Sequence, residues 1–126
     1  MEIIGLGFDA TDIPHVERVY KRFGERFLHR IFTDGEIAYC MRHRNPVPSL
    51  AARFAAKEAA MKALGTGRSR GVLWKNIEVV RGAGGPPQLR FLGGALRRAE
   101  AMGVKKSLIT ITHAKALAMA QVMLFG

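Results

Sequence analysis

The stretch "RFAAKEAAMKALGTG" (residues 53–67) constrains the fold more than any other part of the chain. At roughly 100° per residue, Ala52, Ala55, Ala56, Ala59, Ala60 and Ala63 gather on one broad side of a helix. Side chains that small let another backbone approach closely. Leu50, Phe54, Met61 and Leu64 form a second apolar sector, so the helix is expected to be largely buried. Yet it carries Arg53, Lys57, Glu58 and Lys62. Burying unpaired charge is costly, so these groups need partners. Arg53 and Lys57 form one charged ridge; Glu58 and Lys62, four residues apart, form another. The second pair allows a surface ion pair worth about 0.3–0.5 kcal/mol. It equally allows a site, with the carboxylate holding a cation and the three basic groups holding phosphates. A Mg²⁺ site usually draws one or two carboxylates plus substrate phosphate oxygens. The best second acid is Asp9, at the end of the first strand.

The rest of the chain predicts one domain over residues 1–126, of α+β class. "EIIGLGF" (2–8) reads as a buried strand. Residues 13–32 have helical apolar spacing, with Asp12 placed to cap, Pro14 in the first turn and Gly24 placed to weaken or end the helix. Thr33 and Glu36 form a capping box for a short helix. Ser49 is placed to cap the alanine-rich helix and Gly65 to end it. "WKNIEVVR" (74–81) and "QLRFL" (88–92) read as a hairpin around "GAGGPP". A short helix over 95–103 and two strands, 107–113 and 116–124, complete the order.

No apolar run is long enough to cross a bilayer, and "MEIIGLGFDATD" lacks the basic start of a signal peptide. The single cysteine, Cys40, forms no intrachain disulfide. These features predict a cytoplasmic location. The formal charge of +10 implies an anionic partner: nucleic acid, a membrane surface, a phosphorylated ligand or an acidic protein. A basic nucleic-acid-binding module is therefore the alternative function, supported by "RHR" (42–44) and "RSR" (68–70). Against it, no helix-turn-helix, zinc or RNA-binding aromatic signature is present.

"GLGFD" (5–9), "RFLHRIFTDGE" (26–36), "LAARFAAKEAAMKALGTG" (50–67), "NIEVV" (76–80) and "ITITHAKALAMAQV" (109–122) occur in this order. Together they closely resemble the holo-acyl-carrier-protein synthase family of the 4′-phosphopantetheinyl transferase superfamily. The resemblance implies an antiparallel sheet packed on a long helix, assembled as a homotrimer with active sites at subunit boundaries. It implies transfer of the 4′-phosphopantetheine arm of coenzyme A to a serine of apo acyl carrier protein, releasing adenosine 3′,5′-bisphosphate. No nucleic-acid partner is implied.

By the same resemblance, Asp9 and Glu58 match metal-binding positions for Mg²⁺, and Lys62 matches the active-site lysine. Glu58 is also a candidate to relay the serine proton. Arg53 and His113 match positions associated with the nucleotide's phosphates, with Thr112 beside His113. Gly65, Thr66 and Gly67 match the loop lying along coenzyme A; its glycines let backbone N–H groups approach a ligand. All four charges of the alanine-rich helix are then expected around a magnesium and a nucleotide. Two positions depart from the family: Ala10 replaces a larger aliphatic residue and Ala114 an acidic or hydroxyl residue. Because acyl carrier proteins are acidic, Arg18, Lys21, Arg22, Arg26 and Arg30 are expected to form a docking face, with Phe27 as its apolar anchor.

Overall fold

The computed structural model describes residues 1–126. Its largest sheet has three antiparallel strands in the order β1 (Ile3–Asp12), β5 (Leu117–Phe125), β4 (Lys106–Ala114). An 18-residue helix, α4 (Val47–Leu64), lies on the inner face. Its alanines serve the purpose their size implies. A Cβ at Gly7 would sit 1.8 Å from the Ala59 carbonyl oxygen, and one at Gly5 2.3 Å from that of Ala63. Strand and helix backbones therefore nearly touch, and only glycine fits. Ala120, Val122 and Leu124 of β5 close the same core. Asp9 and Thr11 continue the inner row of Gly5 and Gly7 toward the N-terminal half of the helix, by the period-two alternation of a strand.

The second layer is the hairpin of β2 (Ile77–Arg81) and β3 (Pro87–Phe91), followed by α5 (Gly93–Met102). Residues 74–76, expected as strand, form a 3₁₀ turn instead, closed by the Asn76 side chain accepting from Leu73 N at 2.9 Å. Gly65 and Gly103 end their helices in the left-handed conformation, as expected.

One open local expectation is settled and two are corrected. Residues 13–32 make two helices, α1 (Ile13–Phe23) and α2 (Glu25–Ile31), because Gly24 takes φ 52° and ψ −124° between them. Asp12 makes no side-chain cap; it stays in register with Leu117, and the next N–H goes to Ala116 O. Ser49 is not the cap of α4, which begins two residues earlier. Its hydroxyl lies inside the first turn and accepts from Arg53 at 3.1 Å.

The capping box at the start of α3 (Asp34–Met41) forms as read, but Glu36 does more than close a turn. Its carboxylate accepts from Thr33 N and from Val79 N, and pairs with Lys57 Nζ at 2.6 Å, both side chains being wholly buried. Lys57 also donates to the carbonyls of Trp74, at 3.0 Å, and Ile77. Burial pulls the Lys57 ammonium below the usual lysine range, while the Glu36 carboxylate opposes that shift. So Lys57 is not a nucleotide ligand as expected. It pins α3, α4 and β2 together from inside.

Candidate functional site

The remaining charges of α4 reach the surface in two separate places. Lys62 does not pair with Glu58. Its ammonium donates to Asp9 Oδ1 at 3.0 Å and to Phe8 O at 2.9 Å, tying β1 to the helix. Thr11 Oγ1 holds the other Asp9 oxygen at 3.1 Å. Support for Asp9 thus comes from Thr11 and Lys62, while Ala10 points to the opposite, exposed face. Glu58, one turn before Lys62, is partly buried and accepts from Trp74 Nε1 at 2.9 Å. Asp9 of β1 is thus tied to Lys62, and Glu58 lies one turn before Lys62 on the same helix.

No group of three or more acidic, histidine or cysteine side chains gathers anywhere to cage a metal. Asp9 and Glu58 are hard oxygen donors, and two such groups suit Mg²⁺ only when a ligand's phosphate oxygens complete the shell. The residues present fit that shared arrangement.

Near the other end of α4 is a cavity of about 370 Å³, lined among others by Tyr39, His43, Arg53, Arg81, His113 and Lys115. No acidic side chain lines it, so it is suited to an anion. The Arg53 guanidinium stacks 4.0 Å over the Tyr39 ring, and its buried Nε–H has no partner. His113 Nε2 lies 3.3 Å from Pro48 O; Ala114 offers its ring nothing. The sequence signalled Arg53 and His113 but not Tyr39, His43, Arg81 or Lys115, which come from three regions of the chain, the end of α3, β2 and the β4–β5 turn, brought together by folding.

Thr112 does not join this cavity. Strand alternation turns it to the outer face of β4, in a shallow depression with Phe8, Thr110 and Met119. Gly65, Thr66 and Gly67 lie past the C-terminus of α4, with Gly65 and Gly67 at φ 72° and 53°. At 1.5 Å per residue, this loop is about 18 Å along the helix from Arg53. Within one chain, the cavity and the loop are separate features.

The break at Gly24 also rearranges the basic face. Arg18 belongs to α1 and Arg26 to α2, so they do not share one helix as expected. Arg26, Phe27 and Arg30 meet Val19 and Phe23 in a groove of about 260 Å³; Arg18 is exposed outside it. Phe27 is half-buried against Phe32, and Phe23 is the exposed aromatic, flanked by Arg22 and Arg26 at 5.3 and 5.9 Å.

Residues 5–121 match the family model of the 4′-phosphopantetheinyl transferase superfamily. A holo-[acyl-carrier-protein] synthase of Maridesulfovibrio salexigens is 50% identical over 122 residues, covering 97% of this chain and 98% of that protein. The crystal structure of the synthase from Neisseria meningitidis superposes with TM-score 0.89 at 33% identity, over 99% of this chain and 100% of that one. The Helicobacter pylori synthase, solved in complex with coenzyme A, gives TM-score 0.84 at 26% identity, over 95% and 99%. The nucleic-acid alternative finds no support among these relatives.

Proposed function

Because the chain belongs to the holo-[acyl-carrier-protein] synthase family of the 4′-phosphopantetheinyl transferase superfamily, we propose that it moves the 4′-phosphopantetheine group of coenzyme A to a serine of apo acyl carrier protein, in a Mg²⁺-dependent reaction. Adenosine 3′,5′-bisphosphate leaves. The observation that carries this reading is the link by which Lys62 joins Asp9 to α4 one turn from Glu58.

Asp9 and Glu58 would hold the metal, which would neutralise pyrophosphate charge and orient it for in-line attack. Lys62 offsets charge growing on the transferred phosphoryl group. The serine oxygen forms the new bond to phosphorus as the bond to the bisphosphate breaks, and the serine gives up its proton, for which Glu58 is the proposed acceptor. That leaving group is already stable as an anion, so the protein mainly positions and stabilises charge. Arg53 supports phosphate binding through its unpartnered Nε–H and the cation-lined cavity shared with His113. Gly65, Thr66 and Gly67 offer backbone to the ligand at the far end of α4. Chromatography of the products tests the reading: adenosine 3′,5′-bisphosphate should appear only when apo carrier, coenzyme A and Mg²⁺ are all present. Its absence from the complete mixture would refute the reading.

A homotrimer with shared sites fits two features. The outer sheet face exposes Leu6, Phe8, Leu108 and Leu117, an apolar surface that a partner copy would bury. The two ligand-facing regions also sit far apart within one chain. Light scattering at micromolar concentration is expected to give a trimer; a fully active, stable monomer would contradict it.

The groove between α1 and α2 is the proposed docking site for the acidic carrier. Arg26→Glu with Arg30→Glu is expected to raise the KM for carrier on the order of tenfold, because exposed charges act largely through encounter rate. The KM for coenzyme A should stay unchanged. Salt should affect the variant less than the wild type, since screening shortens to roughly 3 Å at 1 M. Kinetics with each substrate varied at several ionic strengths would decide; equal losses for both substrates would end the docking assignment.

A further inference from the structure

Trp74 is the only tryptophan in the chain, and its placement is unusually determined. Its indole N–H donates to Glu58 Oε2 at 2.9 Å. Its carbonyl accepts from Lys57 Nζ at 3.0 Å. Two adjacent residues of α4 therefore grip one residue of the 3₁₀ turn, one at the backbone and one at the ring. Lys57 is in turn held by buried Glu36 at 2.6 Å. The ring packs beside Phe54, with centroids 6.1 Å apart, and beneath the Arg68 guanidinium at 3.9 Å. Backbone anchor, ring contacts and hydrogen bond all fix where the N–H points.

From this arrangement we infer that Trp74 is the positioning residue that presents Glu58 to the metal. The inference rests on the proposed metal role of Glu58. An indole N–H donates and cannot accept, so it holds one carboxylate oxygen without taking the charge away. Oε2 is fixed, and Oε1 remains available to a cation. Without the bond, the carboxylate of a flexible glutamate would sample several orientations, and ordering it would weaken metal binding. Residues that orient metal-ligating carboxylates typically contribute about 10–100-fold to metal affinity when removed.

The test uses the full chain, coenzyme A and Mn²⁺ in place of Mg²⁺. Trp74→Phe retains an aromatic ring for Phe54 and Arg68 and removes the donor with the rest of the pyrrole ring. Mn²⁺ binding followed by electron paramagnetic resonance should weaken about tenfold or more in this variant, while its melting temperature stays near wild type. In transfer assays the half-saturating Mg²⁺ concentration should rise, with kcat largely recovered at saturation. A purely structural role would lower the melting temperature and leave metal affinity alone. In the wild type, bound Mn²⁺ should quench the single tryptophan emission along the same saturation curve, a measurement that requires no variant. Unchanged Mn²⁺ affinity in Trp74→Phe, or unquenched emission while Mn²⁺ binds, overturns the positioning role and leaves the metal site standing. No Mn²⁺ binding by the wild type would instead strike the metal site itself, and the inference with it.

Discussion

Asp9→Ala and Glu58→Ala are each expected to lower transfer on the order of 100-fold or more while leaving a folded protein. The magnitude follows from removing a group aimed at charge in the reacting complex. In the proposed metal site, loss of one carboxylate would leave a single protein ligand and the substrate's phosphates. The fold should tolerate both changes. The Asp9 side chain is only partly buried, and Lys62 keeps its bond to Phe8 O when Asp9 is lost. Glu58 is only partly buried and holds a single bond, from Trp74 Nε1, unlike the fully enclosed Lys57. Steady-state rates across a Mg²⁺ series, with melting curves alongside, provide the check. Near-normal activity of either variant at limiting Mg²⁺ would remove that residue from the metal site.

The largest effect on stability is expected inside the molecule. Glu36→Ala leaves the Lys57 ammonium wholly buried with two carbonyls and no carboxylate paired to it. Lys57→Met leaves the Glu36 carboxylate facing only backbone N–H groups. Breaking a buried pair from one side costs about 3–5 kcal/mol. The double variant Glu36→Gln with Lys57→Met should recover much of that loss, since no isolated charge remains. Urea unfolding at one fixed protein concentration measures all three. A single variant losing less than about 1 kcal/mol would show that the pair does not carry the junction of α3, α4 and β2.

Much of this architecture was legible because its signals are local. The Thr33–Glu36 box, the stop at Gly65, the alternation of β4 and the stripe of alanines each involve residues close in sequence, and each formed. The split at Gly24 was only half legible. Glycine marked a weak point, but a single turn of backbone decided between a dent and a break. The charges of α4 show the limit most clearly. Helical spacing groups Arg53 with Lys57, yet says nothing about what lies above each. β2 and α3 cover Lys57, whereas Arg53 opens onto a cavity. In the same way, Lys62 had a local partner available in Glu58 and took Asp9, 53 residues away, because β1 crosses the helix there. Trp74 read as the first residue of a strand, so its bond to Glu58 had no sequence signal.

The proposed activity is loading of phosphopantetheine onto a carrier serine, with Asp9, Glu58 and Lys62 as the proposed site. Intact-mass measurement of an apo acyl carrier protein, incubated with the purified chain, coenzyme A and Mg²⁺, tests it most directly. The carrier should gain the mass of one phosphopantetheine group. That gain should vanish with a chelator, and with a carrier whose acceptor serine is replaced by alanine. A carrier that keeps its apo mass in the complete mixture would contradict the account.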